Sequence, residues 1–457
     1  MTSELITKAL ETATDTKQIV AGRGVVDQTG DVFTQCFGDA RAIVVADENT
    51  FAAAGDRVVA SLQAAGVEMV EPYIFPGTPT LYAGYENVEV LRNHLEGVDA
   101  IVCSIASGTL NDIAKLASGE LGRPYMNVCT AASMDGYAAF GASITRDGFK
   151  ITRNCPAPTA LVADLDVMGA APKRLTATGY GDLIEKIPGG ADWLLSDELG
   201  VEAVDPYVWS LVQDTLRDAL SDPEGAAAGD PDAISGLAEG LLMSGLAMQA
   251  HQSSRPASGA GHNFSHQWEM EGHGLDWEPP LSHGNKVGLG TVAVCALYEK
   301  VLELDIAGLD VDAAVAKWPN PEQNDERVAA LQPIEAIREA ALGQSRAKYV
   351  QPEHIRARIE LVQQHWPAIL ERVKPQLVTA QEAADMLKAV GGPYHPGMIN
   401  IDQEKLKLTY YQAQTIRSRY TILDTLQELG LLGEVIDSLF EGDGYWAQHP
   451  EPETAGA

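Results

Sequence analysis

Residues 99–112 read Asp-Ala-Ile-Val-Cys-Ser-Ile-Ala-Ser-Gly-Thr-Leu-Asn-Asp, and this stretch decides the fold. A buried-strand pattern over residues 99–105 runs through a turn of small residues into a helical pattern over 109–121. Backbone N–H groups at the start of such a helix attract anions, so the turn predicts a site for a pyrophosphate. The turn alone is equally typical of an ordinary capped helix with Thr109 as its N-cap.

Strand-like apolar runs alternate with helical patterns on both sides of this stretch. The predicted strands are residues 41–47, 67–75, 124–129 and 160–167, and the predicted helices between them include 50–65 and 85–96. Such βαβ succession predicts a parallel, doubly wound α/β sheet. In that architecture ligands bind beyond the carboxyl ends of the strands, here the loops at Asp47, 104–108 and 130–133.

The chain changes character near Ala171-Pro172, where proline suits the first turn of a new helix. The patterns beyond are helical: residues 234–251, 286–304, 354–373, 380–390 and 406–432. We therefore expect two domains, a dinucleotide-binding α/β domain over 1–171 and an all-α metal- and substrate-binding domain over 172–457. The polar tail after Asp443 is expected to fray.

Charge and cysteine content exclude several classes of protein. The formal net charge of -32 argues against nucleic-acid binding and against binding to anionic membranes, because both depend on Lys and Arg. The five cysteines form no CxxC pair, which favours a reducing cytoplasm over a disulfide framework. No signal-peptide pattern and no membrane-spanning apolar run are present.

Four of the ten histidines fall within residues 262–283, and His262, His266 and His283 are the three that suggest a common site. His262 and His266 stand four residues apart, so on a helix they share one face, and His283 follows in Ser-His-Gly. Neutral imidazole is the commonest ligand of zinc-like ions, so the group predicts a metal site rather than separate core or surface histidines.

Two aspartates are candidate partners for these ligands, and each also has a purely structural interpretation. Asp182, in Gly-Tyr-Gly-Asp-Leu, is the candidate oxygen ligand of the metal, although an acid near a helix N-terminus also complements the helix dipole. Asp47, at a strand end, can accept hydrogen bonds from an adenosine ribose or simply initiate the helix near Thr50.

Six stretches occur together in the chain: Ser107-Gly-Thr-Leu-Asn-Asp112, Thr130-Ala-Ala-Ser-Met-Asp-Gly-Tyr137, Ala171-Pro-Lys-Arg-Leu-Thr-Ala177, Gly181-Asp-Leu183, His262 to His266, and His283-Gly284. In this order they resemble the bacterial type of sn-glycerol-1-phosphate dehydrogenase, within the iron-containing alcohol dehydrogenase and dehydroquinate synthase superfamily. The resemblance covers about residues 42–424. It implies a Rossmann-like N-terminal domain, a helical C-terminal domain and an active site in the cleft between them, where dihydroxyacetone phosphate is reduced to sn-glycerol 1-phosphate.

The resemblance also implies roles for individual residues. Asp182, His262 and His283 match the metal ligands, His266 faces the substrate and relays a proton, and Asp135 touches the substrate. The implied cofactor contacts are Ser107, Gly108, Thr109, Thr130, Ala131, Ala132 and Ser133.

The expected cofactors are a nicotinamide dinucleotide and one divalent ion, which the ligand set allows to be zinc, nickel or ferrous iron. NAD(H) is expected to be preferred over NADP(H), because Asp47 would repel a 2′-phosphate and no arginine follows closely. Other expected properties are a small phosphorylated substrate and a homo-oligomer, most simply a dimer.

Four departures from the family pattern are visible. Ala106 stands where relatives usually have the first glycine of a Gly-Ser-Gly turn, and Ala139 stands where many have serine. Gly261 occupies the place of a glutamate beside the first metal histidine, which bears on the surroundings of the metal. The run Ile-Pro-Gly-Gly over residues 187–190 interrupts a helix that relatives continue.

Because the chain is so acidic, any pocket for a substrate phosphate must be built locally, and Lys186 and Lys286 are the nearest basic candidates. Three alternatives stay open: a dehydrogenase of another polyol or hydroxyketone, a sugar-phosphate cyclase of the dehydroquinate synthase type, and a non-catalytic descendant. The cyclases generally carry glutamate at the position of Asp182.

Overall fold

A computed structural model of the chain describes residues 3–146 and 149–452. Eight strands occur among them: β1 (Gln18–Gly22), β2 (Ala42–Asp47), β3 (Tyr73–Phe75), β4 (Ile101–Ala106), β5 (Tyr125–Cys129), β6 (Ala142–Arg146), β7 (Phe149–Arg153) and β8 (Ala160–Asp164). Six of them form one parallel sheet in the order β1-β8-β5-β4-β2-β3. The remaining two, β6 and β7, form an antiparallel hairpin.

Helices cover both faces of the parallel sheet, which explains why β2, β4, β5 and β8 are almost continuously apolar. The helices of this half are α1 (Glu4–Leu10), α2 (Thr29–Phe37), α3 (Glu48–Ala64), α4 (Tyr85–Glu96), α5 (Gly108–Glu120) and α6 (Leu165–Gly169). The register pairs Ala106 with Cys129, so the loops after β4 and β5 leave the same edge of the sheet side by side.

The second half is helical throughout its described residues. Its helices are α7 (Lys173–Ile184), α8 (Lys186–Glu198), α9 (Pro206–Ala219), α10 (Pro223–Ala228), α11 (Pro231–His251), α12 (Ala260–Met270), α13 (His283–Val301), α14 (Val311–Lys317), α15 (Pro321–Leu331), α16 (Glu335–Lys348), α17 (Pro352–Val373), α18 (Ala380–Ala389), α19 (Gln403–Thr415), α20 (Ile422–Glu428), α21 (Leu432–Leu439) and α22 (Tyr445–Gln448). Four short 3-10 turns complete the secondary structure: Val25–Gln28, Arg255–Ala257, Lys374–Gln376 and Pro396–Ile399.

The structure therefore confirms the expected fold class, an α/β half followed by an all-α half. The chain leaves the sheet at Asp164 and enters the first long helix of the second half at Lys173. The domain boundary between 171 and 172 stays a prediction. Within the described ranges no helix is both long and apolar enough to cross a membrane.

The structure corrects several predicted elements. The strand predicted over 160–167 ends at Asp164, because this side chain accepts hydrogen bonds from the amides of Asp166 and Val167 and so caps α6. The helix predicted over 406–432 is broken between Thr415 and Ile422. The N-terminal strand β1 and the β6–β7 hairpin were not predicted.

The expectation that the tail frays after Asp443 is wrong for residues 445–448, which form α22. Trp446 in this helix is fully buried, and its indole N–H donates to the Tyr410 hydroxyl at 2.9 Å. The buried indole and its hydrogen bond hold this short helix against the rest of the helical half.

Candidate active site

A cleft of about 1430 Å³ separates the carboxyl ends of the strands from α7, α12 and α13. It is lined from the sheet side by the loops after β2, β4 and β5. From the helical side it is lined by acidic and imidazole side chains of α7, α12 and α13. The cleft therefore joins the two halves of the chain at the edge where parallel sheets bind ligands.

The start of α5 is open toward the cleft. Ser107 is the N-cap of this helix, but its side chain makes no capping hydrogen bond, and Ser107, Gly108 and Thr109 all line the cleft. The interpretation of Thr109 as an N-cap is therefore wrong. An uncapped helix N-terminus beside a cavity is suited to binding an anionic group through its first amides.

Ala106 does not obstruct this turn. It is the last residue of β4 and is fully buried, and its carbonyl accepts a hydrogen bond from the Thr130 amide. The absence of glycine at this position therefore leaves the backbone in ordinary strand geometry.

The loop after β5 is divided between the cleft and the interior. Thr130 and Ser133 line the cleft. Ala131 and Ala132 are completely buried and do not line it. A Cβ added at Gly179 of α7 would lie 2.0 Å from the Ala132 carbonyl oxygen, so this part of the loop is packed tightly against α7.

Asp47 both caps a helix and lines the cleft. As the N-cap of α3 it accepts hydrogen bonds from the amides of Asn49 and Thr50, in both cases through Oδ1. The residue also lines the cleft. Its carboxylate therefore has a second oxygen, Oδ2, that capping does not use.

Asp182, His262 and His283 come together at the helical wall of the cleft. One ligand atom from each lies within 4.8 Å of the others. His262 Nε2 is 3.6 Å from Asp182 Oδ1, too long for a hydrogen bond. It is close to the separation of about 3.4 Å expected for two ligands of one tetrahedral ion at bond lengths of about 2.1 Å. The donor set and its spacing thus fit a divalent ion.

Each of these three side chains has a second oxygen or nitrogen atom, and that atom lies against a neighbouring residue. Asp182 Oδ2 accepts a hydrogen bond from the Asp135 amide at 3.1 Å. His283 Nδ1 is 2.9 Å from Glu269 Oε1, and His262 Nδ1 is 2.9 Å from Glu185 Oε2. Carboxylates behind metal-binding imidazoles fix the ring orientation, so this arrangement supports the metal-binding interpretation.

Lys186 is fully buried between two carboxylates. Its Nζ lies 2.8 Å from Asp135 Oδ2 and 3.3 Å from Asp182 Oδ1, and it donates to the Asp182 carbonyl. Its candidacy as a phosphate-binding residue is therefore wrong, because its three donors are already used inside the protein.

Asp135 lines the cleft beside this ion pair. Its Oδ2 also accepts a hydrogen bond from Ser244 at 2.9 Å. Burial and the neighbouring Asp182 carboxylate raise the pKa of Asp135, whereas Lys186 opposes the shift. The other oxygen, Oδ1, is left for a ligand.

His266 lies one helical turn beyond His262 and also lines the cleft. Burial, together with the nearby Arg417 guanidinium, holds the pKa of His266 well below its usual range. The ring is therefore neutral at physiological pH. Its Nδ1 lies 3.5 Å from Glu269 Oε2.

Four residues at this site were not found from the sequence: Glu269, Lys150 and Arg417 line the cleft, and Glu185 lies behind His262. Glu269 is one turn from His266 on α12, and Glu185 follows Asp182 by three residues, so helical spacing from the predicted ligands could have indicated both. Lys150 on β7 and Arg417 in the break between α19 and α20 reach the cleft only through tertiary structure.

A family model described as iron-containing alcohol dehydrogenase matches residues 20–172. The chain is 38% identical over 258 residues to a glycerol-1-phosphate dehydrogenase of Halalkalibacterium halodurans, a match that covers 56% of this chain and 64% of that protein, just under two thirds. It is 30% identical over 404 residues to the enzyme of the same name from Geobacillus thermodenitrificans, covering 86% of this chain and 88% of the relative.

Among solved structures, the chain resembles a probable glycerol dehydrogenase from Sinorhizobium meliloti with a TM-score of 0.58. The sequence identity is 16%, and the match covers 93% of this chain and 98% of the other. This likeness extends the shared fold to both halves of the chain.

Proposed function

Since the chain belongs to the glycerol-1-phosphate dehydrogenase family of the iron-containing alcohol dehydrogenases, we propose that it reduces dihydroxyacetone phosphate to sn-glycerol 1-phosphate with NAD(P)H. The observation that carries the proposal is the convergence of Asp182, His262 and His283 in the same cleft as the open start of α5. An ion held by these three residues would polarise the ketone oxygen, and the nicotinamide would supply the hydride.

The proposed dinucleotide site lies along the strand ends. The first amides of α5, at Gly108 and Thr109, bind the pyrophosphate, and Thr130 and Ser133 contact the cofactor from the neighbouring loop. Ala131 and Ala132 support that loop from the interior. Asp47 Oδ2 accepts hydrogen bonds from the adenosine ribose, which favours NAD(H) over NADP(H).

The proposed substrate site lies between the imidazoles and Asp135. Asp135 Oδ1 orients a substrate hydroxyl, because Lys186 and Ser244 fix the other oxygen of the carboxylate. His266, as a neutral imidazole, accepts a proton on one nitrogen while it donates from the other, and so relays a proton toward the new alcohol. The metal is zinc, nickel or ferrous iron, and we propose a cytoplasmic homodimer.

The deciding experiment is a parallel assay. Metal-loaded enzyme and NADH are offered dihydroxyacetone phosphate, dihydroxyacetone and longer ketose phosphates, and the configuration of the product is determined with a stereospecific coupling enzyme. Stoichiometric NADH oxidation with dihydroxyacetone phosphate and an sn-1 product are expected. Turnover of another ketone alone would show that the substrate is wrong, and phosphate release without net NADH consumption would show that the reaction class is wrong.

A further inference from the structure

Two cations at the helical wall of the cleft have no acidic partner. Lys286 is 1% exposed, lies one turn after His283 on α13 and lines the cleft, yet its Nζ makes no ion pair or hydrogen bond with any described residue. Arg417 also lines the cleft without such a partner for its guanidinium. Charged side chains removed from water are normally paired, so an unpaired buried lysine and an unpaired half-buried arginine beside one cavity require an explanation.

Among the described residues, Glu269 is the one carboxylate that interacts with this pair, and it is already neutralised. Glu269 is paired with Lys150 at 2.9 Å and with His283 Nδ1 at 2.9 Å. One carboxylate beside the three cationic side chains of Lys150, Lys286 and Arg417 leaves two formal positive charges in excess.

We propose that Lys286 and Arg417 form the subsite for the phosphate of the substrate. A phosphate monoester carries close to two negative charges at neutral pH, which matches the excess charge of the group. Arginine offers a planar fork to two phosphate oxygens, and lysine a point charge to the third. The i, i+3 spacing of His283 and Lys286 places Lys286 on the same face of α13 as a proposed metal ligand, in the same cleft. The inference rests on the proposed function.

The test compares a phosphorylated with an unphosphorylated ketone. In Lys286→Met and Arg417→Met, kcat/KM for dihydroxyacetone phosphate should fall about 100-fold, whereas kcat/KM for dihydroxyacetone should change less than about threefold. Inorganic phosphate should inhibit the wild-type enzyme competitively, and calorimetry should show weaker phosphate binding in both variants. The matched control is Lys300→Met, at the other end of α13 and paired with Asp443, which should leave both substrates unaffected.

Failure of this inference and failure of the proposed function are distinguishable. If the wild-type enzyme reduces neither ketone, the proposed function is wrong. If it reduces dihydroxyacetone phosphate, but the two variants lose activity equally on both ketones and bind phosphate as the wild type does, only the phosphate subsite is wrong.

A second inference follows independently from the contact between Glu185 and His262. Glu185 is fully buried, its Oε1 accepts a hydrogen bond from the Gly259 amide at 2.9 Å, and its Oε2 lies 2.9 Å from His262 Nδ1. Neither Oε2 nor Nδ1 has another hydrogen-bond partner among the described residues, so the two atoms face only each other.

Glycine at position 261 is what admits this carboxylate. A Cβ at Gly261 would lie 2.8 Å from Glu185 Cγ, so the glutamate side chain occupies the space that any larger residue at 261 would need. We infer that Glu185 is a positioning residue that orients His262 for the metal.

Moving the carboxylate from position 185 to position 261 tests this inference, and the quantity measured is the affinity for the metal. Glu185→Ala should weaken metal binding about 10- to 100-fold in calorimetry, and Gly261→Glu in the same chain should restore most of it. Gly261→Glu alone should destabilise the protein, because two side chains then compete for one space. Glu198→Ala, in α8 and paired with Arg372, is the control and should bind metal normally. Wild-type metal affinity in Glu185→Ala would overturn the inference.

Discussion

Asp182, His262 and His283 each present one atom to a shared point while a neighbouring residue holds the other atom. Such a site is preorganised, since the side-chain entropy of the ligands has been lost during folding rather than on binding. His266 is placed differently: it lies in the same cleft but outside the group of convergent ligand atoms.

We expect Asp182→Ala, His262→Ala and His283→Ala to lose stoichiometric metal and at least about 1000-fold of turnover, because each removes one of three ligands. In His266→Ala turnover should fall while metal content stays near the wild-type level. Metal analysis of the purified variants checks this. Full metal content in a variant lacking both His262 and His283 would contradict the assignment.

Asp47 offers a test in which its capping role and its cofactor role separate. Asp47→Asn keeps a side-chain oxygen that caps α3 but removes the charge, so stability should be unchanged while the ratio of kcat/KM for NADPH to that for NADH rises about 10-fold. Asp47→Ala should show the same change in preference and lose about 1 kcal/mol of stability as well. An unaltered ratio in both variants would remove Asp47 from the cofactor site.

In the protein without a bound anion, the buried positive charge of Lys286 should lower the free energy of unfolding. Burial lowers the pKa of Lys286 from 10.5 to about 8, with Glu269 opposing this shift and Lys150 adding to it. Because the folded state binds the proton less tightly than the unfolded state, folding is penalised below about pH 8. The penalty declines toward pH 10.5, the ordinary pKa of lysine.

Lys286→Met should therefore raise the melting temperature at pH 7 by roughly 2–4 °C, with a gain that shrinks as the pH approaches 10. Melting curves at several pH values measure this, with Lys300→Met as the comparison. If Lys286 instead stabilised the fold, Lys286→Met would lower the melting temperature at pH 7.

At the scale of the elements, helix α13 crosses α7 at a contact that permits no side chain. A Cβ at Gly284 would lie 1.9 Å from the Thr178 carbonyl oxygen, and one at Gly181 would lie 2.4 Å from the Gly284 carbonyl oxygen. This close crossing sets His283 beside Asp182, so the glycine that follows His283 is required by packing rather than by chemistry.

Gly284→Ala should cost roughly 1–3 kcal/mol in urea unfolding and should lower metal affinity, because α13 must move away from α7. Gly343→Ala is the matched control: this glycine lies inside α16 with no atom within 4 Å of an added Cβ. That variant should be more stable by about 0.5–1 kcal/mol. Equal effects of the two substitutions would show that the crossing is not tight.

At the scale of the whole molecule, the proposed metal ligands come from three separate helices, α7, α12 and α13. An ion that binds only the folded chain stabilises it by mass action, by about 2.7 kcal/mol at one hundred times its dissociation constant. Removal of metal with a chelator should therefore lower the melting temperature of the wild-type protein. The His262→Ala variant, which cannot hold the ion, should show no response to chelator or to added zinc.

The sequence by itself determined the α/β and helical halves, the strands at the centre of the sheet and the turn after β4. These features are local or periodic: buried strands are apolar runs, an amphipathic helix repeats every 3.6 residues, and His262 and His266 share a helix face through spacing alone. The metal ligands Asp182, His262 and His283 follow from the resemblance of the sequence to the family and stay a prediction.

Only the tertiary structure decided which charged side chains are paired with an opposite charge and which are not. Lys186 and Lys286 look alike in the sequence, but Lys186 is bound by Asp135 and Asp182 from different elements, whereas Lys286 is not. Arg417 reaches the cleft because the predicted long helix is broken after Thr415, where Thr421 and Asp424 form a capping box that starts a new helix. Glu185 stands behind His262 because position 261 has no side chain. Such pairings join residues far apart in the chain, and local patterns carry no information about them.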